Sequence, residues 1–330
     1  MSTELTETGT ADVVVIGGGV FGCTIAYHLA QKRAGKVVLL ERGEICSGGT
    51  AKSCAIVRTH YSVRPNMVHA VESLRIFERF NEIVGGDAGW QRTGYLVVGP
   101  AEHREPMQAV FKDQNKLGID TATLTPDEAH EIHPLVQFED VDVIGYDTVA
   151  GYCNPYLVTT SYARRAKELG VKIHTETPVT GLRMNGGVKS VTTPSGVIES
   201  PVVIIVAGPW TNAVGAMIGV QFPYAVSRHK VITLKAGQPY QRDWPVVKDL
   251  TTGDKIYVRP TGDGQALIGT GDHGEPVQDA DAMSDHVDND HLVRISELIA
   301  NRMPEFANAG STLGWTGAYD ITPDWNPVVG

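Results

Sequence analysis

A chain of 330 residues, 42% hydrophobic and 20% charged, has enough apolar material for sizeable cores and reads as a soluble globular protein of two domains. Its formal net charge of −10, with no dense Lys/Arg run, excludes a nucleic-acid surface. Apolar stretches such as 202–207 are strand-sized, short of the roughly 20 residues a spanning helix needs, so no membrane span is expected.

Residues 1–10 are polar, lack the basic and apolar regions of a signal peptide, and are expected to be a disordered tail. Val13, Val14, Val15 and Ile16 then form a run suited to a strand buried on both faces of a parallel sheet. The run stops on Gly17-Gly18-Gly19-Val20-Phe21-Gly22 and becomes helical, with Ala26, Leu29 and Ala30 at helical spacing. Gly17 permits the tight turn, Gly19 lets a pyrophosphate approach the backbone, and Gly22 lets the helix pack close to the strand. The phosphates would sit on the free amides of the helix N-terminus, around Val20 and Phe21. A second buried strand, 36–40, is closed by Glu41, about 20 residues past the last glycine, where an acid accepts from a ribose hydroxyl. Strand, turn, helix, strand and acid together make a dinucleotide-binding fingerprint.

After Arg42 comes a second cluster of small and hydroxylated residues, with Ser47, Gly49, Thr50, Lys52 and Ser53 able to bring amides and hydroxyls onto a long cofactor. Two such loops with an acid between them fit extended FAD better than NAD. From Asp12 to Tyr61, and above all in Ser47-Gly48-Gly49-Thr50-Ala51-Lys52-Ser53-Cys54-Ala55-Ile56-Val57-Arg58-Thr59-His60-Tyr61, the chain resembles the D-amino-acid oxidase superfamily of FAD enzymes. The likeness is to its sarcosine oxidase and dimethylglycine dehydrogenase branch, in particular the β subunit of heterotetrameric sarcosine oxidase. The resemblance implies Arg58 as a clamp for a substrate carboxylate and Tyr61 as a wall of the substrate pocket. A guanidinium presents a planar fork that matches a carboxylate. An Arg in a surface ion pair and a Tyr in half-buried packing are the plainer alternatives.

Residues 68–84 read as one amphipathic helix on Val71, Leu74, Phe77 and Phe80, and 94–99 as a strand. Thr125 is a candidate cap for a short helix opened by Pro126. His130-Glu131-Ile132-His133 lacks the i, i+4 histidines of a zinc helix and reads as a solvated helix end, so no metal is expected. A helix at 157–169, ended by Gly170, leads to a parallel strand at 171–174. The turns Asn185-Gly186-Gly187 and Pro194-Ser195-Gly196 then divide a three-stranded meander, which FAD domains carry where simple NAD domains have a helix. The resemblance implies a backbone contact from Val179 to the adenine. It also matches Ala207-Gly208-Pro209-Trp210 to a turn that approaches the cofactor, although Trp210 would equally plug a core.

Strands at 231–234, 255–260 and 266–269 and a helix at 292–302 follow, with Asp288 and Asp290 complementing the helix dipole. The resemblance implies an active-site Tyr at Tyr257 and a catalytic His at His273. It offers no counterpart of the family's oxygen-activating Lys, since Leu267 or Ile268 stands there. Gly317 and Lys52 occupy the regions of the two covalent flavin anchors known in the branch, so FAD is expected to bind non-covalently. The resemblance further implies a C-terminal segment beyond Gly330, with a glycine-rich turn and a second carboxylate-binding Lys.

The expected architecture is α/β. A doubly wound Rossmann-type FAD-binding domain with a β-meander (11–85, 146–221 and 310–330) interleaves with an α+β substrate domain with a mixed or antiparallel sheet (86–145 and 222–309). The implied activity is oxidation of the C–N bond of a sarcosine-like secondary or tertiary amino acid, with O2 or an electron-accepting protein taking the electrons. The alternatives are a dehydrogenase subunit of a hetero-oligomer and a non-catalytic flavin-binding subunit. Four cysteines without Cys-x-x-Cys pairing point to a reducing cytoplasm.

Overall fold

The computed structural model describes residues 9–271 and 274–329. Four parallel strands form one sheet in the order Lys172–His174, Val37–Leu40, Val13–Ile16, Val202–Ile205. Every residue of Val13–Ile16 and Val37–Leu40 is buried. Alternate side chains leave a strand on opposite faces, and here both faces are covered. Val13, Val15, Val37 and Leu39 pack under the helices Val20–Gln31 and Pro155–Glu168, among Ala26, Tyr27, Val158 and Tyr162. Val14, Ile16, Val38 and Leu40 pack on Leu182, Val191 and Ile198 of the meander Gly181–Asn185, Val188–Thr193 and Gly196–Ser200. The meander therefore takes the place of a second helical layer.

Gly9 and Thr10, expected within a disordered tail, are instead a strand. Gly9 and Thr10 pair in parallel with Ile198 and Glu199, extending the meander by one strand; residues 1–8 lie outside the described part. Pairing satisfies an edge whose amides and carbonyls would otherwise need water.

The second unit is a nine-stranded sheet. Its path runs Glu275–Val277, Ala225–Lys235, Ala266–Gly269, Tyr257–Pro260, Val246–Asp249, Tyr95–Gly99, Val143–Asp147, Thr121–Thr123, with Gly310–Ile321 also paired to Ala225–Lys235. One pairing, Val246–Asp249 with Tyr95–Gly99, is parallel and joins two stretches of chain far apart in sequence. Helix Asn289–Arg302, capped by Asp288, seats the fully buried Ile295 and Ile299 on this sheet. Residues 310–330 were expected with the cofactor-binding segments. Residues 310–321 instead form a long antiparallel ladder with Ala225–Lys235, from Gly310 opposite Lys235 to Ile321 opposite Ala225.

Two local expectations also change. The helix read at 68–84 begins at Arg64, with Pro65 in its first turn, and stops at Glu78; Arg79 breaks it at φ −120°, ψ 31°, and Phe80–Ile83 is a separate turn. The break lets Phe80 turn into the core, edge-on to Tyr162 at 5.5 Å. His133 is not a solvated helix end. It is fully buried, its Nε2 2.7 Å from the Tyr240 hydroxyl and its ring 4.9 Å from that of Trp244. Burial pushes its pKa down to about 3, so the folded protein holds a neutral imidazole. The unfolded chain binds that proton from about pH 6.5 downward, so stability present at neutral pH is lost as pH falls from there toward 3. Urea midpoints at pH 7 and pH 5 should reveal a loss of about 1 kcal/mol per pH unit from this residue. The double variant His133→Phe, Tyr240→Phe, which leaves no orphaned hydroxyl, should show a correspondingly shallower acid slope.

Candidate active site

Local geometry at the glycine turn is set by backbone contacts. Gly17 has φ +119°, and a Cβ there would stand 2.4 Å from the Val206 carbonyl oxygen. A Cβ on Gly22 would come within 1.8 Å of the Gly17 carbonyl oxygen, so helix and strand approach as closely as the motif requires. Gly19 is the N-cap and supplies no side-chain hydrogen bond, so the first-turn amides must find partners elsewhere. Phe21, in the first turn, is 71% exposed. Glu41 accepts from Gly18 N at 2.6 Å and Gly43 N at 2.8 Å, which fixes its carboxylate beside the turn.

The second loop folds against the first. Thr50 Oγ1 accepts from Val20 N at 3.1 Å, and a Cβ on Gly19 would stand 3.0 Å from that hydroxyl, closing the space between the loops. Gly49–Lys52 is a 3-10 turn, and Gly48 lies against the Trp210 ring. Gly208, at φ +51°, turns the chain after strand Val202–Ile205 so that Trp210 faces this loop. Arg42 stacks 4.2 Å over Trp210 and forks onto Asp281 at 2.7 and 3.1 Å, while the Trp210 indole donates to Asp281 at 2.8 Å. Ser47 Oγ lies near Gly43, and Ser53 Oγ accepts from Ala55 N at 3.0 Å. Strand Gly310–Ile321 passes over the loop, where the Trp315 indole donates to the Lys52 carbonyl at 3.1 Å and Gly317 leaves room for Lys52 Cβ. Val179 stands apart from this group, half-buried under the meander.

Beyond the loop the chain turns toward the second unit. Arg58 is half-buried, donates to the His60 carbonyl, and lies 4.3 Å over the Tyr61 ring and 5.9 Å from that of Tyr95. Among the described residues no carboxylate pairs with it. Burial, reinforced by the Arg58 charge, drives His60 down to about 4, so the guanidinium stands beside a neutral ring. Tyr257 Oη lies 2.9 Å from Cys54 Sγ; burial, then the neighbouring Cys54 and Tyr319, hold its hydroxyl well above its ordinary pKa. Tyr319 stacks 3.9 Å on His229 and feels both Cys54 and Arg58.

Arg58, Tyr61 and Tyr257 thus share one region, bridged by Tyr319. His273 lies outside the described residues. Tyr95, Tyr319 and Lys248, whose Nζ is 5.4 Å from the Tyr257 ring, were missed. Lys248 stands opposite Tyr257 in the ladder, and such cross-strand neighbours carry no signal until the pairing is known.

The family described as "FAD dependent oxidoreductase" matches residues 12–330. The chain belongs to the FAD-dependent oxidoreductase family. Its cofactor is FAD. Human mitochondrial sarcosine dehydrogenase is 30% identical over 97% of the chain, and Arthrobacter sarcosine oxidase subunit beta is 27% identical over 96% of it. The crystal structure of an L-proline dehydrogenase from P. horikoshii superposes with a TM-score of 0.89 at 28% identity, covering 98% of this chain and 85% of that one. The chain spans 36% of the length of the human relative and 78% of the Arthrobacter one. No helix among the described residues is long and apolar enough to cross a membrane.

Proposed function

We propose that this FAD-dependent oxidoreductase chain oxidises the C–N bond of a secondary or tertiary amino acid of the sarcosine class. The observation that carries the reading is Arg58: a half-buried guanidinium held between Tyr61 and Tyr95 and, among the described residues, paired with no carboxylate. Such a group has unmet demand for an anion, and a planar carboxylate satisfies its fork. The names of the human and Arthrobacter relatives support the same substrate class.

The residues fit FAD by their chemistry: a helix N-terminus with no side-chain cap of its own, a Gly19 at which an added Cβ would crowd Thr50 Oγ1 at 3.0 Å, and the Glu41 carboxylate fixed beside the turn. Amides from Gly19, Phe21 and Gly22 would hold the pyrophosphate and Glu41 the ribose, with Gly17 shaping the turn and Val20 tied to Thr50 beside them. Arg42, Ser47, Gly49, Thr50, Lys52 and Ser53 would line the second loop, with Ala207, Gly208 and Trp210 closing the far side and Val179 near the adenine. Gly317 and Lys52 offer no covalent anchor, which supports non-covalent binding. When bound, FAD supplies the acceptor for a hydride and its electron pair. The chain's part is placement. Arg58 would fix the carboxylate, Tyr61 and Tyr95 would wall the substrate, and Tyr257, kept protonated by burial, would donate through its hydroxyl without acting as a base at neutral pH. Loss of hydride from the carbon beside nitrogen leaves an iminium, which water hydrolyses to the shorter amine and an aldehyde.

Whether the electrons pass to O2 or to a partner protein divides the oxidase from the dehydrogenase reading, and Lys248 beside Tyr257 favours O2 by placing a cation near the site. Four buried free thiols support a reducing compartment such as the cytoplasm. The test is an absorption spectrum of the desalted, FAD-loaded chain under nitrogen. Sarcosine or dimethylglycine should bleach the flavin band, and admitting air should restore it with one peroxide per substrate. Bleaching without peroxide would select the dehydrogenase reading. No bleaching by either amine would overturn the proposed activity and leave a flavin-binding subunit.

A further inference from the structure

Asp147 is a carboxylate with 1% of its surface exposed and, among the described residues, no cationic partner. Burying such a group is costly unless its lone pairs are met by donors. Its two oxygens are met in two different ways. Oδ1 accepts from Val149 N at 3.0 Å and Ala150 N at 3.2 Å, closing the turn that Asp147 itself begins. Oδ2 reaches away from that turn, to Thr59 N at 3.3 Å, Thr59 Oγ1 at 2.6 Å and Gln114 Nε2 at 3.3 Å. Gln114 Nε2 also donates to Thr59 Oγ1 at 2.8 Å, so hydroxyl, amide and carboxylate form a closed triangle. A residue serving its own turn needs only the first oxygen.

The second oxygen holds the residue next to Arg58. Thr59 O accepts from Tyr61 N at 2.9 Å, so the segment 58–61 is a compact bend with Thr59 as its buried pivot. His60 in that bend packs edge-on against Phe111 at 5.6 Å, on helix Arg104–Lys116, which also carries Gln114. In the sheet Asp147 stands opposite Tyr95, and opposite residues of an antiparallel pair share a face. One ladder position therefore supports Arg58 twice, through the Tyr95 ring against its guanidinium and through Asp147 against its neighbour's backbone.

We infer that Asp147, acting through Thr59 and Gln114, is a positioning residue that holds Arg58 and Tyr61 in the conformation receiving a substrate carboxylate. This rests on the reading of Arg58 as the clamp. Asp147 touches neither substrate nor cofactor in this role. Placing the anion on Thr59 keeps it off the guanidinium, which stays available to a ligand.

The test uses the FAD-loaded 330-residue chain and acetate as the probe, followed by the NMR signal of the Arg58 guanidinium, assigned by its loss in Arg58→Gln. Acetate should shift that signal saturably in the wild type. Thr59→Val, which keeps the shape and removes the hydroxyl, should weaken acetate about tenfold, and Asp147→Asn should do the same. Thr59→Ser should return the affinity to within about twofold, a rescue that a role in folding alone would not produce. If Thr59→Val does not fold, Gln114→Met opens the same triangle and is read in the same way. No acetate response in the wild type overturns the clamp reading, and this proposal with it. A wild-type response that Thr59→Val or its substitute leaves unchanged overturns this proposal alone.

Discussion

Arg58→Gln is expected to raise the KM for sarcosine about a hundredfold or more while the chain keeps its bound flavin, because a lost charge-assisted, two-pronged hydrogen bond is worth roughly 3 kcal/mol. The folding contacts Arg58 would lose are its stacking on the Tyr61 ring and one hydrogen bond, a small stability cost. Among the described residues it closes no ion pair, and its one hydrogen bond is to the carbonyl of His60, two residues away. Arg58→Lys keeps the charge and loses the fork, so it should recover about tenfold of that loss. An amine without a carboxylate should be turned over equally poorly by wild type and variant. Steady-state kinetics on the three proteins settle the matter: a KM for sarcosine unchanged in Arg58→Gln means the carboxylate is held elsewhere.

Gly22→Ala should be among the most damaging methyl additions at the described glycines. The new Cβ would lie 1.8 Å from the Gly17 carbonyl oxygen and 3.0 Å from its carbon, both backbone atoms of the turn that would carry the pyrophosphate. Neither can swing aside as a side-chain end could, so helix and strand must separate. Overpacking of this kind costs about 1–3 kcal/mol in ordinary cores, and against fixed backbone the upper end or more applies. The turn is also the cofactor cradle, so FAD affinity should fall at least about a hundredfold as its amides lose their aim. Gly187→Ala is the control, with nothing within 4 Å of the added atom. The flavin-to-protein absorbance ratio after desalting separates them; Gly22→Ala retaining a full complement of FAD would refute the close-packing argument.

How much was legible beforehand depends on the sequence distance over which each feature is decided. The glycine turn, its flanking strands, Glu41 and the meander could be read because strand, turn and helix signals lie within a few residues of one another. The apolar run Val13 to Ile16 even announces burial on both faces, which the two separate clusters beneath it explain. The Thr125 cap was equally local, with Thr125 and Glu128 exchanging hydrogen bonds three residues apart. His133 was misjudged for the opposite reason. Its partners Tyr240 and Trp244 arrive from more than 100 positions away, and nothing near His133 reports them.

What the sequence determined by itself was the cofactor-binding half: a parallel sheet, the glycine turn at the helix N-terminus, the acid beside it, and a guanidinium shortly after the second loop. Only the tertiary structure decided the substrate half. Strand Gly310–Ile321 is not read from the sequence as a strand; its partner Ala225–Lys235 is chosen by a ladder spanning some 80 residues of chain, and that ladder brings Tyr319 between Arg58 and Tyr257. The same holds for Asp147, an ordinary strand-end acid until Val143–Asp147 pairs with Tyr95–Gly99 and its second oxygen meets Thr59. Dihedral preference and hydrophobic period act within a few residues and are written in order along the chain. Register and burial emerge only when distant segments exchange hydrogen bonds, and in this protein the residues proposed to grip the substrate are set by register.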